Sequence, residues 1–586
     1  MQKSDIKRLF DFPYYQLANH TQEKCFVYKQ HDAWLNISTQ EYLETATKIS
    51  SALLNLGVKP NDKIAVITNN NQYKWFMLDV GVLQIGAVNV PLYPTFSDTD
   101  FEYILNHSDA KFCFVSDDEL YQKAHKIAGK TQLEKIFSFE EINVDYSWNH
   151  FLSNATTNNI NEIENLKKHV SPQDLATIIY TSGTTGTPKG VMLTHDNITK
   201  NVFSVAKRIN LNETNKRVVS YLPICHIFER ASSYYCQQMG FEIHFAESIE
   251  SLGDNLKEIK PHFMAVVPRL LEKVFDKIVD KGSELRGIKK QLFFWALHLA
   301  EQYQPYKKNG FWYEFKLKIA NKIIFTKWRE ALGNHLEFML AGSAPMQPRL
   351  VSVFTAAKIP VFEGYGMTET SPAVSVSDMR NNGFKLGTVG RVLDDVSVKI
   401  ADDGEILVKG PNVMKGYYKN ETLTNQTIVN GYIHTGDIGE VDEDGFLKIT
   451  DRKKEIFKTS GGKYIAPAVL EAELKKSRFI EQAMVIGEGE KMPAAIIQLH
   501  FDFIKQWAKK HRYTILDITS DERLIKRIQK EINICNKKFG KWEQIKRFEI
   551  TSDEWTIEAG HLTPTLKMRR KIIKKMYEKL YNKIYN

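Results

Sequence analysis

Residues 181–190 carry the side chains needed to hold a polyphosphate. The segment reads Thr-Ser-Gly-Thr-Thr-Gly-Thr-Pro-Lys-Gly, so five hydroxyl side chains fall within seven residues and Lys189 follows them. Glycines let backbone N–H groups approach an anion closely, hydroxyls add donors, and a lysine adds positive charge. It differs from the G-x-x-x-x-G-K-[ST] loop, because Pro188 precedes the lysine and Gly190 follows it. We therefore predict a polyphosphate site, with a plain Gly/Thr turn as the alternative.

Six further blocks follow this segment along the chain. They are 222–230 (LPICHIFER), 341–344 (AGSA), 363–370 (EGYGMTET), 434–437 (HTGD), 451–455 (DRKKE) and 562–570 (LTPTLKMRR). In this order they resemble the adenylate-forming superfamily, the ATP-dependent acyl-CoA synthetases and their relatives. The form of the closing block is similar to the long-chain fatty acyl branch. The resemblance covers nearly the whole chain.

The activity that the resemblance implies needs neutralisation of charge more than it needs a general base. A carboxylic acid is already ionised at neutral pH, since free carboxyl pKa values lie at about 4. A Ser-His-Asp constellation is therefore not expected. The carboxylate must approach a negative α-phosphate, and charge then moves onto pyrophosphate. Positioned cations and N–H donors should dominate catalysis.

The resemblance assigns the nucleotide and metal contacts of the large domain. Lys189 and the 181–187 hydroxyls would hold the β- and γ-phosphates, and Glu369 would hold a Mg²⁺ ion that bridges phosphate oxygens. Tyr365 would stack on adenine, with core packing as the alternative. The implied nucleotide-binding residues are Thr181, Ser182, Gly183, Thr184 (also counted as catalytic), Thr185, Gly186, Thr187, Lys189, Gly342, Ser343, Ala344, Glu363, Gly364, Tyr365, Gly366, Met367 and Thr368.

The later blocks are assigned in the same way. Asp437 would accept hydrogen bonds from the ribose hydroxyls, and Arg452 would contact the same sugar or the phosphates. Lys567 would reach the carboxylate and the α-phosphate, with a solvated tail lysine as the alternative. Family members commonly have a glycine directly before this lysine, where the present chain has Leu566.

In the second step that the resemblance implies, the thiol of coenzyme A attacks the acyl adenylate. The small domain would rotate about a hinge at Asp451, which would withdraw Lys567 and exclude water from a labile intermediate. A short segment would then take the place of Lys567 at the site; it consists of Ser460, Gly461, Gly462 and Lys463. A plain hairpin turn is the alternative interpretation of its glycine pair.

The elements that must position these residues alternate between short β-branched runs and amphipathic helices. Buried strands are predicted at 63–68, 111–116, 176–180 and 338–341, and helices at 39–56 and 195–209. This alternation indicates an α/β protein with layered, largely parallel sheets. Alternating runs with Asp-Gly turns at 396–409 and 432–450 predict antiparallel hairpins, for which the resemblance implies a β-barrel-like subdomain. We expect a large domain over 1–450 and a small, mobile α+β domain over 451–586.

Residues 283–333 form a distinct aromatic-rich segment. Its pattern predicts two helices that are interrupted near Pro305 and Gly310. We interpret it as a helical hairpin packed on the main domain; a face directed to membrane or lipid is the alternative.

The expected activity is ATP-dependent conversion of a long-chain fatty acid to acyl-AMP and pyrophosphate, followed by transfer to coenzyme A. The 226–230 block, the 283–333 segment and the closing block from Glu554 to Arg570 favour a long acyl chain by resemblance. His226 would gate the carboxylate pocket, with a packed core histidine as the alternative. Medium-chain or aromatic acids, or an acyl carrier protein as acceptor, remain open, as does the oligomeric state. ATP, Mg²⁺ and coenzyme A are the expected cofactors and co-substrates.

Composition excludes several other classes. The 586 residues have ordinary globular proportions and a net charge of +9. No signal peptide or membrane span is predicted, and five scattered cysteines without a Cys-x-x-Cys pair suit a reducing cytoplasm. A basic nucleic-acid-binding ATPase would need a Walker-type loop or a reading element, so no nucleic-acid partner is expected.

The positive charge is concentrated at the C-terminus. Residues 566–586 (the C-terminal tail) contain eight basic side chains and one acidic side chain, a net of +7. Apolar residues recur there at helical spacing, at Ile573, Met576, Tyr577, Leu580 and Ile584. We expect a terminal helix docked on the small domain. The alternative is peripheral contact with anionic lipid at the inner face of the membrane.

Overall fold

The computed structural model describes residues 1–142, 146–182 (for Ser182 the backbone alone), 187–209, 211, 216–378, 382–557, 559–563 and 567–585. The chain divides into two compact units. The large unit comprises Met1–Lys399, Leu407–His434 and Val441–Lys448, and the small unit comprises Ile400–Ile406, Thr435–Glu440 and Ile449–Asn586. No helix in the described part of the chain combines the length and the apolar character that crossing a bilayer requires.

The strands of the described residues are β1 (Phe26–Gln30), β2 (Ala33–Ile37), β3 (Lys63–Ile67), β4 (Val88–Leu92), β5 (Ala110–Val115), β6 (Lys135–Ser138), β7 (Leu175–Ser182), β8 (Pro188–Thr194), β9 (Arg217–Ser220), β10 (Glu242–Phe245), β11 (Phe263–Val266), β12 (Phe338–Ala341), β13 (Val361–Gly366), β14 (Ala373–Val376), β15 (Arg391–Val392), β16 (Ser397–Ile400), β17 (Glu405–Lys409), β18 (Gly416–Tyr417), β19 (Ile428–Val429), β20 (Tyr432–Val441), β21 (Leu447–Arg452), β22 (Phe457–Lys458), β23 (Tyr464–Ile465), β24 (Ile480–Ile486), β25 (Ala494–Leu499) and β26 (Arg547–Thr551).

The α-helices are α1 (Asp11–Asn19), α2 (Thr39–Asn55), α3 (Tyr73–Leu83), α4 (Asp98–Ser108), α5 (Asp118–Ala128), α6 (Trp148–Ser153), α7 (Ile160–His169), α8 (His195–Arg208), α9 (Ile227–Met239), α10 (Leu252–Ile259), α11 (Pro268–Glu284), α12 (Gly287–Glu301), α13 (Phe311–Ala320), α14 (Thr326–Ala331), α15 (Pro348–Ala356), α16 (Glu421–Thr427), α17 (Pro467–Leu474), α18 (Phe501–Lys510), α19 (Glu522–Asn536), α20 (Arg570–Met576) and α21 (Glu578–Tyr585). A π-helical turn, Asn321–Phe325, joins α13 to α14.

Two mixed sheets organise the large unit. One has the order β18-β8-β7-β4-β3-β5-β6, and the other β15-β14-β13-β12-β11-β9-β10-β1-β2. Their central strands pair in parallel, as β3 does with β4 and β5, and β12 with β11 and β13. Strands buried on both faces suit the continuous apolar runs that the sequence shows. The predicted α/β class is confirmed, and the predicted strands and helices agree with the structure to within two residues at each end.

Between residues 397 and 452, every strand except β18, which pairs with β8, belongs to a five-stranded sheet. Its order is β16-β17-β20-β19, with β21 beside β20. The predicted tight turns are present: Gly404 N–H donates to the Ala401 carbonyl, and Gly445 N–H to that of Asp442. The helical interruption predicted near Pro305 and Gly310 is likewise present, between α12 and α13.

The C-terminal part of the small unit contains a three-stranded sheet, β24-β25-β26, and a two-stranded one, β22-β23. Helices α20 and α21 of the C-terminal tail pack on this unit through Ile573, Tyr577 and Ile584, which are at most 7% exposed and share a core cluster with Met484 and Ile496. The apolar side of the tail is thus largely buried, as the docked-helix interpretation expected.

Candidate active site

The predicted polyphosphate segment connects strands β7 and β8. These strands are antiparallel neighbours, and Thr181 pairs with Lys189 in their register. A Cβ atom at Gly190 would lie 2.8 Å from Cγ2 of Ile178, so this glycine is required by packing within the sheet. Thr187 is exposed. Four residues of the segment lie outside the described part of the chain: Gly183, Thr184, Thr185 and Gly186.

Tyr417 links the lysine of this segment to the predicted metal ligand. Strand β18 pairs with β8, so that Tyr417 lies opposite Val191 in the register. Its hydroxyl donates to Oε1 of Glu369 at 2.9 Å, and Nζ of Lys189 lies 5.6 Å from the centroid of its ring. Burial is the main cause that raises the pKa of Tyr417, so the group stays a neutral donor. The tyrosine therefore brings a cation and a carboxylate to one place.

The surroundings of Glu369 fit a Mg²⁺ ion that is shared with a polyphosphate. The residue lies in a short 3₁₀ turn, Thr368–Thr370, and is 8% exposed. Mg²⁺ is usually held by one or two carboxylates together with phosphate oxygens and water, so a single oriented carboxylate suffices. Among the described residues there is no cluster of three or more His, Cys, Asp or Glu side chains that could hold a metal by itself.

The two glycine-containing blocks of the nucleotide assignment lie beside each other. The 341–344 block begins at the last residue of β12, and the 363–370 block begins within β13. These two strands are parallel, with Ala341 in register with Glu363. The carboxyl ends of parallel strands are a common place for ligand sites. Gly366 allows a close approach of two chain segments, since a Cβ atom there would lie 1.7 Å from the carbonyl oxygen of Pro372. Tyr365 is half-buried.

Glu363 is a buried carboxyl group with one unused oxygen. It is 7% exposed, and its Oε1 makes no hydrogen bond within the described residues. Burial raises its pKa to about 8. A carboxyl group in this state can donate as well as accept, which suits recognition of the polar edge of a ligand.

His226 is the N-cap of helix α9. Its Nδ1 accepts a hydrogen bond from the Phe228 N–H at 3.1 Å, which leaves the proton of the neutral ring on Nε2. Phe228 in turn lies close to Gly342, where a Cβ atom would be 3.3 Å from its ring. The capping role explains a histidine at residue 226, and the start of α9 places Phe228 beside the 341–344 block.

The rest of the 226–230 block anchors α9 in the core. Nη2 of Arg230 lies 2.6 Å from Oδ1 of Asp79, and both side chains are almost completely buried. The Tyr234 hydroxyl donates to the same carboxylate, as does the Asn89 side-chain amide at 2.7 Å. Because such a network holds the helix in a single position, it also fixes the position of His226.

Asp437 and Arg452, both in the small unit, form an ion pair. Nε of Arg452 lies 3.0 Å from Oδ1 of Asp437, whose side chain is 7% exposed. Glu405 orders the same region: it accepts from the Gly436 N–H at 2.9 Å and from Nζ of Lys453 at 2.8 Å. The structure thus brings the two predicted ribose contacts together.

Asp451, the predicted hinge residue, is buried. It is 5% exposed, Oδ1 accepts from the Arg452 N–H at 2.6 Å, and Oδ2 has no hydrogen-bond partner within the described residues. Burial raises its pKa to about 7. Its charge therefore changes near neutral pH, at the residue where the sequence places the hinge.

Lys567 has an exposed side chain on a short paired segment of the small unit. Its backbone N–H donates to Oγ1 of Thr563 at 3.0 Å, and Leu562 bridges to Met568. The residues between them, Pro564, Thr565 and Leu566, lie outside the described part of the chain, so the departure from glycine at Leu566 has no structural account.

Residues 460–463 form the turn between β22 and β23. The Gly462 N–H donates to the Thr459 carbonyl at 2.9 Å, and Gly462 has a φ of 77°, which favours glycine. This is the hairpin turn named as the alternative above. It presents Lys463 with its ammonium 5.8 Å from the ring centroid of Trp542.

Sequence reasoning missed three residues that order the candidate site: Tyr417, Glu405 and Arg570. Arg570 pairs with Glu471 and, at 3.2 Å, with Glu455 of the 451–455 block. Tyr417 and Glu405 stand in stretches where no chemical motif is visible, and their contacts come from strand pairing. Arg570 directly follows Arg569 in a basic stretch that begins at Lys567, so nothing in the sequence distinguishes it from solvated neighbours.

Comparison with known proteins places this arrangement in a family. Residues 15–418 match the AMP-binding enzyme family, and residues 454–586 match the AMP-binding enzyme C-terminal domain. A long-chain-fatty-acid–CoA ligase FadD15 of Mycobacterium bovis is 32% identical over 92% of this chain and 90% of its own length. A long-chain-fatty-acid–CoA ligase ACSBG2 of Xenopus laevis is 29% identical over 98% and 84%.

Solved structures are similar in fold over nearly the whole chain. The adenylation domain of a carboxylate reductase from Mycobacterium chelonae has a TM-score of 0.73 at 20% identity and covers 98% of this chain and 90% of that one. A fatty acyl CoA synthetase of Mycobacterium tuberculosis has a TM-score of 0.64 at 19% identity, with coverage of 98% and 99%. Since the two family matches together span most of the chain, this protein belongs to the AMP-binding enzyme family.

Proposed function

We propose that this protein activates a long-chain fatty acid with ATP and transfers the acyl group to coenzyme A. The observation that carries the proposal is the meeting of Lys189 and Glu369 at Tyr417, beside the hydroxyl-rich connection of β7 and β8. A cation and a metal-binding carboxylate at one place are what a polyphosphate requires. The relatives named long-chain-fatty-acid–CoA ligases support the classes of acid and thiol.

In the first step, a carboxylate oxygen of the fatty acid attacks the α-phosphorus of ATP. An O–P bond forms, the bond to the bridging oxygen of the β-phosphate breaks, and pyrophosphate leaves with the electron pair. No proton moves, because the acid is already ionised. Lys189 and the 181–187 hydroxyls stabilise the departing charge, and Lys567 stabilises the α-phosphate.

Glu369 is the proposed holder of Mg²⁺. When bound, this ion neutralises charge on the phosphate oxygens. The Tyr417 hydroxyl donates to one oxygen of the Glu369 carboxylate at 2.9 Å, and the other oxygen would hold the ion. The ammonium of Lys189 lies on the same ring and completes a positive surface against the phosphates.

The nucleoside is proposed to bind between the 342–344 and 363–368 residues. Tyr365 stacks on the base, and the unused oxygen of Glu363 meets a polar edge of the nucleoside. Asp437 accepts from the ribose hydroxyls, with Arg452 holding its carboxylate at 3.0 Å. His226 is proposed to gate the carboxylate pocket from the start of α9.

In the second step, the sulfur of coenzyme A attacks the carbonyl carbon of the acyl adenylate. A C–S bond forms, the C–O bond to AMP breaks, and the thiol proton is released. We propose that the small domain, residues 451–586, rotates about Asp451 between the two steps. This rotation would replace Lys567 by Ser460–Lys463 at the reacting groups. The raised pKa of Asp451, about 7, would make the rotation sensitive to pH near neutrality.

The test measures the two half-reactions separately. In the Lys567→Ala variant, ATP–pyrophosphate exchange should fall by about 100-fold or more, while thioester formation from supplied acyl adenylate is largely retained. Lys571→Ala, at another exposed lysine nearby, should change neither. Equal loss of both half-reactions would contradict the two-conformation mechanism.

A panel of acids of increasing length tests the substrate. Exchange that is strongest with long-chain acids and product formation that needs coenzyme A would support the proposal. A preference for medium-chain or aromatic acids, or transfer to an acyl carrier protein without coenzyme A, would identify the alternatives. No exchange with any acid would contradict the enzyme assignment.

We place the protein in the cytoplasm, with peripheral contact at the inner face of the membrane. All five cysteines are buried thiols, which suits a reducing compartment. Because the apolar side of the C-terminal tail is largely buried, a contact of the tail with lipid would rest mainly on its exposed lysines.

A further inference from the structure

Helix α13 has an apolar surface on the side that faces away from the protein. Five large side chains along α13 and the π-helical turn after it are exposed, and we call them the α13 aromatic surface. They are Phe311 (76%), Trp312 (72%), Phe315 (51%), Ile319 (39%) and Ile323 (42%). Four of them repeat every four residues, which keeps them on neighbouring turns of one helical face.

The exposed rings form one continuous patch. The ring centroids of Phe311 and Trp312 are 5.6 Å apart, and those of Trp312 and Phe315 are 6.4 Å apart. The large unit does not use this patch for its own core. Helix α13 is anchored by other side chains: Leu317 and Ala320 are buried, and the Tyr313 hydroxyl donates to the Leu299 carbonyl at 2.8 Å. A clustered patch on an otherwise anchored helix indicates an interaction surface.

The charges around the patch are nearly all positive. Residues 307–327 contain six lysines and one glutamate, a net of +5. All six lysines are exposed, whereas Glu314 is half-buried and its Oε1 is inaccessible to solvent. Aromatic rings between lysines suit the boundary between lipid headgroups and acyl chains, because the rings enter the boundary while the ammonium groups stay at the anionic headgroups.

We propose that the α13 aromatic surface docks the protein on an anionic lipid bilayer, with the helix lying in the plane of the headgroups. The charge selects anionic lipid over a zwitterionic surface, and the three rings supply the apolar contact. A second copy of the chain is disfavoured as the partner, because pairing this surface with itself would oppose two sets of lysines.

Vesicle binding tests the proposal without depending on any catalytic activity. The full chain is mixed with vesicles of phosphatidylcholine alone, or of phosphatidylcholine and phosphatidylglycerol in equal parts, and bound protein is measured by co-sedimentation. We expect binding to the anionic vesicles. Phe311→Ser, Trp312→Ser and Phe315→Ser combined should lower the partition coefficient by about 100-fold or more, since each buried ring contributes roughly tenfold.

A matched control removes the same number of exposed apolar side chains elsewhere. Ile160→Ser, Ile249→Ser and Leu516→Ser combined replace residues that are 48%, 61% and 96% exposed. This variant should bind as the parent protein does, and thermal unfolding of both triple variants should match the parent. If the two triple variants bind vesicles equally well, the proposal is wrong.

Trp312 provides a direct measure of insertion. Lipids brominated on the acyl chains should quench the parent protein more than the Trp312→Phe variant, which keeps the ring surface. Equal quenching of the two would overturn the proposal. So would a lipid-independent dimer in the parent that becomes a monomer in the aromatic triple variant, because the surface would then be an interface between copies.

Discussion

The C-terminal tail and the 307–327 segment have the same length and a similarly basic and apolar composition, yet their apolar sides differ in burial. Each has 21 residues, with a net charge of +7 in the tail and +5 in 307–327, so the other 544 residues carry −3. The tail buries Ile573, Tyr577 and Ile584 in the small unit. Helix α13 buries Leu317 and Ala320 on one side and leaves the α13 aromatic surface exposed on the other.

The difference shows that an amphipathic basic pattern does not by itself identify a membrane-binding helix. An apolar side that is already packed in a core has no free energy left to gain from lipid. The tail has the denser positive charge of the two segments. The free energy of lipid binding depends on the accessible apolar area, and that area lies on α13.

The largest difference in stability between matched substitutions in the two segments should come from Arg570, a largely buried basic residue of the tail. Arg570 is paired with Glu471, and their side chains are 20% and 6% exposed. Arg570→Gln leaves Glu471 buried without its partner, which should lower the free energy of unfolding of the small unit by about 3–5 kcal/mol. Lys318→Gln on α13 should change stability by less than about 0.5 kcal/mol.

Urea denaturation measures this contrast, and its pH dependence provides a second readout. Burial raises the pKa of Glu471, and Arg570 opposes the rise. Without the arginine the carboxyl group takes up a proton more readily, so the deficit of Arg570→Gln should shrink as the pH falls. Equal stability of the two variants would mean that the tail is not anchored through this pair.

The same substitution at two isoleucines compares the apolar sides directly. Ile573 is 0% exposed and Ile319 is 39% exposed. Ile573→Ala should lower the free energy of unfolding by about 2–4 kcal/mol, because it removes a buried side chain and leaves a cavity. Ile319→Ala should cost less than about 0.5 kcal/mol. Similar losses in urea denaturation would remove the basis of the comparison.

Lysine substitutions separate the two basic surfaces by lipid binding. Lys316→Gln, Lys318→Gln and Lys322→Gln combined should weaken binding to anionic vesicles by about 100-fold, at roughly 1 kcal/mol for each lysine at the surface. Lys571→Gln, Lys575→Gln and Lys579→Gln combined should weaken it by less than about tenfold, and only at low salt. The reverse order, measured by co-sedimentation, would return the membrane contact to the tail.

The smallest expected effect is a pH dependence at the contact between His561 and Tyr577 of the tail. Nε2 of His561 lies 3.1 Å from the Tyr577 hydroxyl, and burial lowers the pKa of His561 from its usual 6.5. The unfolded chain therefore binds a proton at a higher pH than the folded one, so this residue makes stability fall as the pH drops below about 6.5. His561→Phe should remove that part of the slope in urea denaturation at several pH values. An unchanged slope would show that the protonation of His561 does not affect the stability of the folded protein.

Much of the fold and several positions of the site followed from the sequence alone. The strand that ends at Ala341 and the one that leads directly into Thr181 were predicted because buried parallel strands need continuous apolar runs, whereas β13, which carries Glu363, was not predicted. The motif blocks predicted the family because their residue types and order are specific. Asp437 was assigned to the ribose and Arg452 to the same sugar or the phosphates, from two separate blocks, and the structure joins the two side chains at 3.0 Å.

Residues that act through partners distant in the chain could not be predicted. Tyr417 meets Glu369 and Lys189 only because β18 pairs with β8, and Glu405 meets Gly436 and Lys453 by a similar route. His226 was predicted as a gate or a core residue, and the structure adds a helix cap that neither interpretation contained.

The sequence by itself determined where the apolar and basic residues recur, and therefore that both 307–327 and the C-terminal tail form helices with charged and apolar sides. Only the tertiary structure decided which apolar side is covered. Local periodicity depends on residues within a few turns, whereas burial depends on strands such as β24 and β25 that lie elsewhere in the chain. For that reason Ile573 lies in a core and Trp312 in solvent.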